Sequence, residues 1–114
     1  MSFDQARPQS PAGDMASAPT AAVCAPEAAA FLKALSPEGR LMILCHLAKG
    51  ERSVTELERL LGSRQAAVSQ QLARLRLEGL VSTRREGKAI YYTIQDPKVM
   101  QTIRLLQGLY PDAD

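Results

Sequence analysis

From Glu38 to Asp96 the chain runs without a proline, and within that stretch Gly50, Gly62 and Gly79 fall just beyond runs of helical apolar spacing. With no obligatory breaker present, the glycines and the capping residues after them decide where elements stop and start. Ser53-Val54-Thr55-Glu56 has the form of a capping box, hydroxyl and carboxylate each satisfying a backbone N–H at the other's end, and so predicts a helix over Val54 to Leu61. Gly62 supplies a tight turn, and Ser63 is placed to cap a further helix from Arg64 to about Leu77, ended by Gly79. Two short helices joined by a glycine turn make a helix-turn-helix.

The flanking segments complete a mainly α fold with a β-hairpin. Prolines 8, 11, 19 and 26 lie among Ala, Ser and Gly, so residues 1–26 read as a flexible arm. Pro26-Glu27 opens a first helix with an apolar stripe at Ala30, Phe31, Ala34 and Leu35. In a second helix, Ser36 is the expected cap and Pro37 the first residue, with Leu41, Ile43, Leu44, Leu47 and Ala48 on the buried face. After Gly79, Leu80, Val81 and Thr83 read as one strand and Ile90 to Ile94 as its partner, with Glu86-Gly87 between them. Asp96 and Pro97 open a last helix, in which Val99, Ile103, Leu106 and Tyr110 recur on one face. The expected order is α-α-α-α-β-β-α, with one domain over 27–110 and a tail at 111–114.

At 114 residues there is room for one modest core and none for a separate catalytic domain. Aromatics are 4% and Trp is absent, which leaves Leu, Ala, Val and Ile to build that core. The formal charge is only +2, yet Arg59 to Lys88 holds seven basic residues against Glu78 and Glu86, a local excess of five that suits a polyanion. No apolar stretch approaches the ~20 residues that span a bilayer, and Met1 to Arg7 is not a basic segment leading into an apolar one. A cytoplasmic protein is expected. There its two cysteines are read as free or reactive thiols.

In a helix-turn-helix the second helix enters the major groove. Here Val68, Leu72 and Leu75 form its inward stripe, while Gln65, Ala66, Ser69, Gln70 and Ala73 fall on the opposite side. An amide presents donor and acceptor to adenine, Ser bonds either partner, and Ala touches a thymine methyl. Gln65, Ala66, Ser69 and Gln70 are therefore the candidate base readers. Ser63, Arg64, Arg74 and Arg76 around the helix, with Arg84, Arg85 and Lys88 at the hairpin tip, are assigned to phosphates or the minor groove. Taken singly, Gln and Ser merely cover a solvated helix. The capping box, glycine turn, small polar face and basic hairpin occur together, in the order a winged helix requires.

These residues also resemble a known family, the ArsR repressors. The similarity runs through Arg40 to Leu44, Val54 to Leu57, Ala67 to Leu72, Leu75, Gly79 to Val81 and Arg84 to Tyr92, about 60 residues in family order. It implies a homodimer paired through its first and last helices, here Phe31, Leu35, Ile103, Leu106 and Tyr110, with two recognition helices on a pseudo-palindromic double-stranded operator. Metal-sensing relatives carry cysteines at the start of the third helix, or Asp and His along the last; this sequence has neither. Cys24, Cys45 and His46 lack the spacing of a zinc site, so no metal or cofactor is expected.

Cys45 looks like the second-helix cysteine of the sulfide- and persulfide-responsive, BigR/SqrR-like branch. That branch places a second cysteine near the end of the last helix, where this chain reads Gly108 to Asp112 without one. Cys24 stands as its substitute, joined to Cys45 by a disulfide or sulfur chain under a reactive sulfur or oxidant inducer. The alternatives are packing cysteines in a repressor with no thiol switch, and a winged-helix module for protein interaction. No catalytic set is present: paired carboxylates, a Ser/His/Asp group and a phosphate loop are all missing, so the chain is not read as an enzyme.

Overall fold

The computed structural model describes residues 24–62 and 65–112, the side chains of Gln65 and Ala66 excepted. Most of the expected arm, the Ser63 cap, Arg64 and the last two residues of the tail lie outside the described residues. The chain divides into two compact units, Met1–Lys33 and Ala34–Asp114. In the first, Cys24 precedes the opening turns of α1 (Ala25–Leu35) and its carbonyl accepts the Ala28 N–H at 3.0 Å. Glu27 in the first turn of α1 and Lys33 in the last complement the helix dipole.

The second unit continues with α2 (Glu38–Leu47), β1 (Arg52–Ser53), α3 (Val54–Leu61), α4 (Gln65–Leu77), β2 (Val81–Glu86), β3 (Ala89–Ile94) and α5 (Pro97–Leu109). Its apolar centre holds Ala34, Leu35, Ile43, Leu44, Leu47, Leu57, Val68, Leu72, Leu75, Leu80, Val81, Val99 and Ile103. The core is aliphatic throughout, as the shortage of aromatics requires. Helix α2 is its hub, packed against α3, α4, α5 and β3.

Local chemistry explains the element ends. Ser53 Oγ accepts the Glu56 N–H at 3.1 Å and Glu56 Oε1 accepts the Ser53 N–H at 2.8 Å, so the capping box forms as read. Gly62 ends α3 at φ 65°, a conformation that costs a residue with a Cβ about 1–2 kcal/mol, and donates to the Glu58 carbonyl at 2.8 Å. At the end of α4 the Leu80 N–H returns to the Leu75 carbonyl and the Gly79 N–H to that of Arg76, each at 3.0 Å, the pattern of a Schellman motif. Asp96 caps α5 through the Lys98 N–H, with Pro97 in the first position.

Two expectations shift. Pro37, with ψ 132°, is extended and is itself the N-cap of α2, so the helix starts one residue later than Ser36 capping would give, and the Pro37 ring supplies no capping hydrogen bond. The hairpin also gains a third strand: order β1-β3-β2, antiparallel throughout, with Arg52 opposite Tyr92 and Ser53 opposite Tyr91. A two-residue strand carries no alternation to read; its partner supplies it. In the main hairpin Val81 pairs with Ile94 and Glu86 with Ala89, leaving Gly87-Lys88 as the turn.

Loss of the cap and loss of the core separate by size. Ser53→Ala is expected to lower unfolding free energy by about 1 kcal/mol. Leu72→Ala, at a wholly buried position, is expected to cost about 2–5 kcal/mol. Urea unfolding followed by circular dichroism measures both.

Candidate nucleic-acid interface

Helix α4 is two-sided. Val68, Leu72 and Leu75 are buried on its inner face, which packs against α2 and α3. Ser69, Gln70 and Ala73 are exposed, so these members of the outward face stand where the spacing places them. The side chains of Gln65 and Ala66, also read as base-facing, lie outside the described residues.

A hydrogen bond not foreseen from the sequence fixes α4 along its axis. Arg40 Nε donates to Gln71 Oε1 at 2.8 Å, while Arg40 Nη1 donates to the Ala34 carbonyl at 3.2 Å. Gln71 sits three residues beyond Val68, on the edge of the buried stripe, and is half-buried. That edge position was the available signal; its partner, 31 residues earlier, was not readable.

The basic residues divide into free and engaged. Arg76, Arg85 and Lys88 are exposed and make no ion pair among the described residues. Arg74 pairs with Glu78 at 2.9 Å one turn along α4, on a surface where such a pair is worth little. Arg84 is fully occupied. Its Nε and Nη2 fork onto the Glu51 carboxylate at 2.7 and 2.8 Å, Nη1 meets Glu86 at 2.6 Å, and the guanidinium lies 4.8 Å from the centre of the Tyr91 ring. These hydrogen bonds hold the Glu51 carboxyl below the usual carboxylate range. Of the three basic residues read at the hairpin tip, Arg84 alone is thus engaged within the chain among the described residues.

Of the residues expected to pair protomers, Leu35 and Ile103 are 3% and 0% exposed and belong to the chain's own core. Their stripes face inward because a small aliphatic core needs them. Leu106 is half-buried, Tyr110 is 77% exposed, and Phe31 lies on α1 in the first unit. Leu105 and Leu109 are exposed apolar residues of α5 that the helical stripe does not include.

Cys24 is exposed. Cys45, on α2, is half-buried; burial pushes its thiol up, the Asp112 carboxylate adds to this, and Lys49 opposes it. His46 is shifted down by burial and by the charges of Lys49 and Arg52, with Asp112 opposing. No group of three or more His, Cys, Asp or Glu residues able to hold a metal occurs among the described residues.

A buried inner face, an exposed small polar outer face and a three-stranded wing with free cations at its tip define a winged helix-turn-helix regulator of the DNA-binding class. Residues 37–83 match the family described as bacterial regulatory protein, arsR family. The chain is 46% identical over 88 residues to the transcriptional activator HlyU of Vibrio cholerae, spanning 77% of this chain and 82% of that one. It is 46% identical over 86 residues to the biofilm growth-associated repressor of Agrobacterium fabrum, 75% and 74% of the two chains. The fold superposes on reduced HlyU with a TM-score of 0.74 at 44% identity, covering 77% and 93%. The repressor BigR of Xylella fastidiosa gives 0.73 at 43%, covering 77% and 90%. The chain belongs to the ArsR family of bacterial regulatory proteins, and it is a regulator rather than an enzyme.

Two outcomes follow from this geometry. Arg85→Ala with Lys88→Ala is expected to weaken duplex binding and to flatten the plot of log affinity against log salt by about two, near 0.9 for each phosphate no longer neutralised, as titrations at several salt concentrations would show. Alkylation of Cys45 is expected to reach half its maximal rate at a higher pH than a free thiol does, and to return to ordinary behaviour when urea unfolds the chain.

Proposed function

We propose that the protein is a homodimeric repressor that occupies a double-stranded operator in the cytoplasm, with α4 in the major groove and the wing tip against the backbone. The observation that carries this is the division of α4 into a wholly buried apolar face and an exposed face of Ser69, Gln70 and Ala73, beside the free cations Arg76, Arg85 and Lys88. Ser63, Arg64, Gln65 and Ala66 join that surface in the proposal. Repression is favoured by the relatives from Agrobacterium and Xylella, both described as repressors. A dimer is supported by the exposed Leu105, Leu109 and Tyr110 of α5 and Leu32 of α1, apolar area that a second protomer would cover. No helix among the described residues is long and apolar enough to cross a membrane.

A thiol-controlled form of this reading has support of its own in the neighbour described as reduced HlyU. In this chain the exposed Cys24 would be the attacking thiol and Cys45 its partner. A two-electron oxidant would join the two thiols in a disulfide with loss of two protons. A persulfide donor would pass one sulfur to each cysteine, releasing its own thiol, and the two cysteine persulfides would condense to a trisulfide with loss of hydrogen sulfide. Either link would restrain α2 and, through it, α4.

The test is retention of a duplex from the gene's own upstream region by reduced protein, after a persulfide donor, and again after reductant. Reversible release that is lost in Cys24→Ser with Cys45→Ser supports the switch. Release that survives the double substitution removes it while leaving the repressor. Failure to retain the duplex at low salt removes both.

A further inference from the structure

We propose that Arg84 is a positioning residue for DNA binding: with Glu51 and Glu86 it clamps the three strands of the wing, tying its tilt to the end of α2, and does not itself grip phosphate. The proposal rests on the reading of the wing as a DNA-binding element and goes beyond it.

The pairing register puts the clamp together. Arg84 lies opposite Tyr91 and Tyr91 opposite Ser53, so these three share one face of the sheet. Ser82, Glu86, Ala89 and Thr93 fall on the same face by alternation, and Ser82 and Thr93 hydrogen-bond across it at 3.1 Å. From the outer strand β2, Arg84 passes over the Tyr91 ring on the central strand and reaches Glu51, the residue just before β1. One side chain thus spans β2, β3 and the approach to β1. Arg85, one residue along, is on the other face and free.

Three features favour bracing over a grip on phosphate. All three guanidinium nitrogens are engaged, two of them in a bidentate fork, the geometry in which an exposed pair is most firmly held. Two carboxylates surround one guanidinium, so the cluster carries a net negative charge and repels a phosphate. The third feature is mechanical. Only Arg52 and Ser53 pair β1 with β3, a short attachment for two six-residue strands. Glu51 belongs to the turn that leaves α2, and α4 packs on α2. A hold on Glu51 therefore sets the wing and the recognition helix in one frame.

The sign of one substitution separates the two roles. Glu51→Gln removes a negative charge from the DNA-binding side and breaks the charged fork on Arg84, leaving Glu86 as its carboxylate partner. If Arg84 grips phosphate, affinity must rise; if it braces the wing, affinity must fall. Full-length protein would be titrated into a fluorescent duplex of its own upstream region at several salt concentrations, using Glu51→Gln, Arg84→Gln, the double variant and Arg85→Ala. The expected result is a loss of about two- to fivefold for each clamp variant, no further loss in the double variant, an unchanged salt slope and unchanged thermal unfolding.

Tighter or unaltered binding by Glu51→Gln, additive losses, or a salt slope lower by about one in Arg84→Gln would overturn the clamp. If Arg85→Ala leaves affinity and slope untouched, the wing does not touch DNA. The clamp is then judged without DNA by backbone 15N relaxation at Gly87 and Lys88. Increased motion there in Glu51→Gln sustains it; unchanged order parameters reject it.

Discussion

Helix α2 presents apolar side chains on nearly every side, and burial of Ile43, Leu44 and Leu47 at its centre holds the other elements in place. The cover of these three residues comes from α3, α4, α5 and β3, while Met42 on the same helix stays 45% exposed. Burying a side chain such as Leu44, with no exposed surface, contributes about 1.5–3 kcal/mol. Three such residues on one short helix outweigh any surface ion pair in the molecule. Because α4 and the strand at the centre of the wing both rest on α2, a change in α2 reaches both parts of the DNA-facing surface.

The functional surface follows from that packing. With Val68, Leu72 and Leu75 committed inward, the opposite face of α4 is free of core duty and carries small and amide side chains. Arg40 and Gln71 then stop the helix from sliding on its apolar bed, which hydrophobic burial, being non-directional, does poorly. The wing follows the same division of labour. One face is knitted by the Ser82–Thr93 hydrogen bond and the Arg84 fork, and the tip cations are left to solvent.

Much of the fold was legible because short-range chemistry specifies it. The capping box at Ser53, the turn at Gly62, the stop at Gly79 and the Asp96-Pro97 start each depend on residues within a few positions of one another. The inner and outer faces of α4 were legible for the same reason, since helical spacing alone separates them. Strand β1 was not. Two residues have no periodicity, and Arg52 and Ser53 are a strand only because Tyr91 and Tyr92 lie beside them. Leu35 and Ile103 are buried within the chain itself, which their spacing could not tell: an apolar stripe reports that a face is covered, not whether the cover is the same chain or a second copy.

The basic residues mark the same boundary. Sequence counted seven cations between Arg59 and Lys88 and treated them as one patch, because composition carries charge but not pairing. Only the tertiary structure distinguishes Arg84, bound to a glutamate 33 residues earlier, from Arg85 beside it. By itself the sequence determined the order of the five helices and the hairpin, the helix-turn-helix and the family. The fold decided which charges stay free, which apolar stripes are spent on the chain's own core, and how the wing is held. Local propensity acts over a few residues of backbone, whereas ion pairing and burial depend on which distant segments the core brings together.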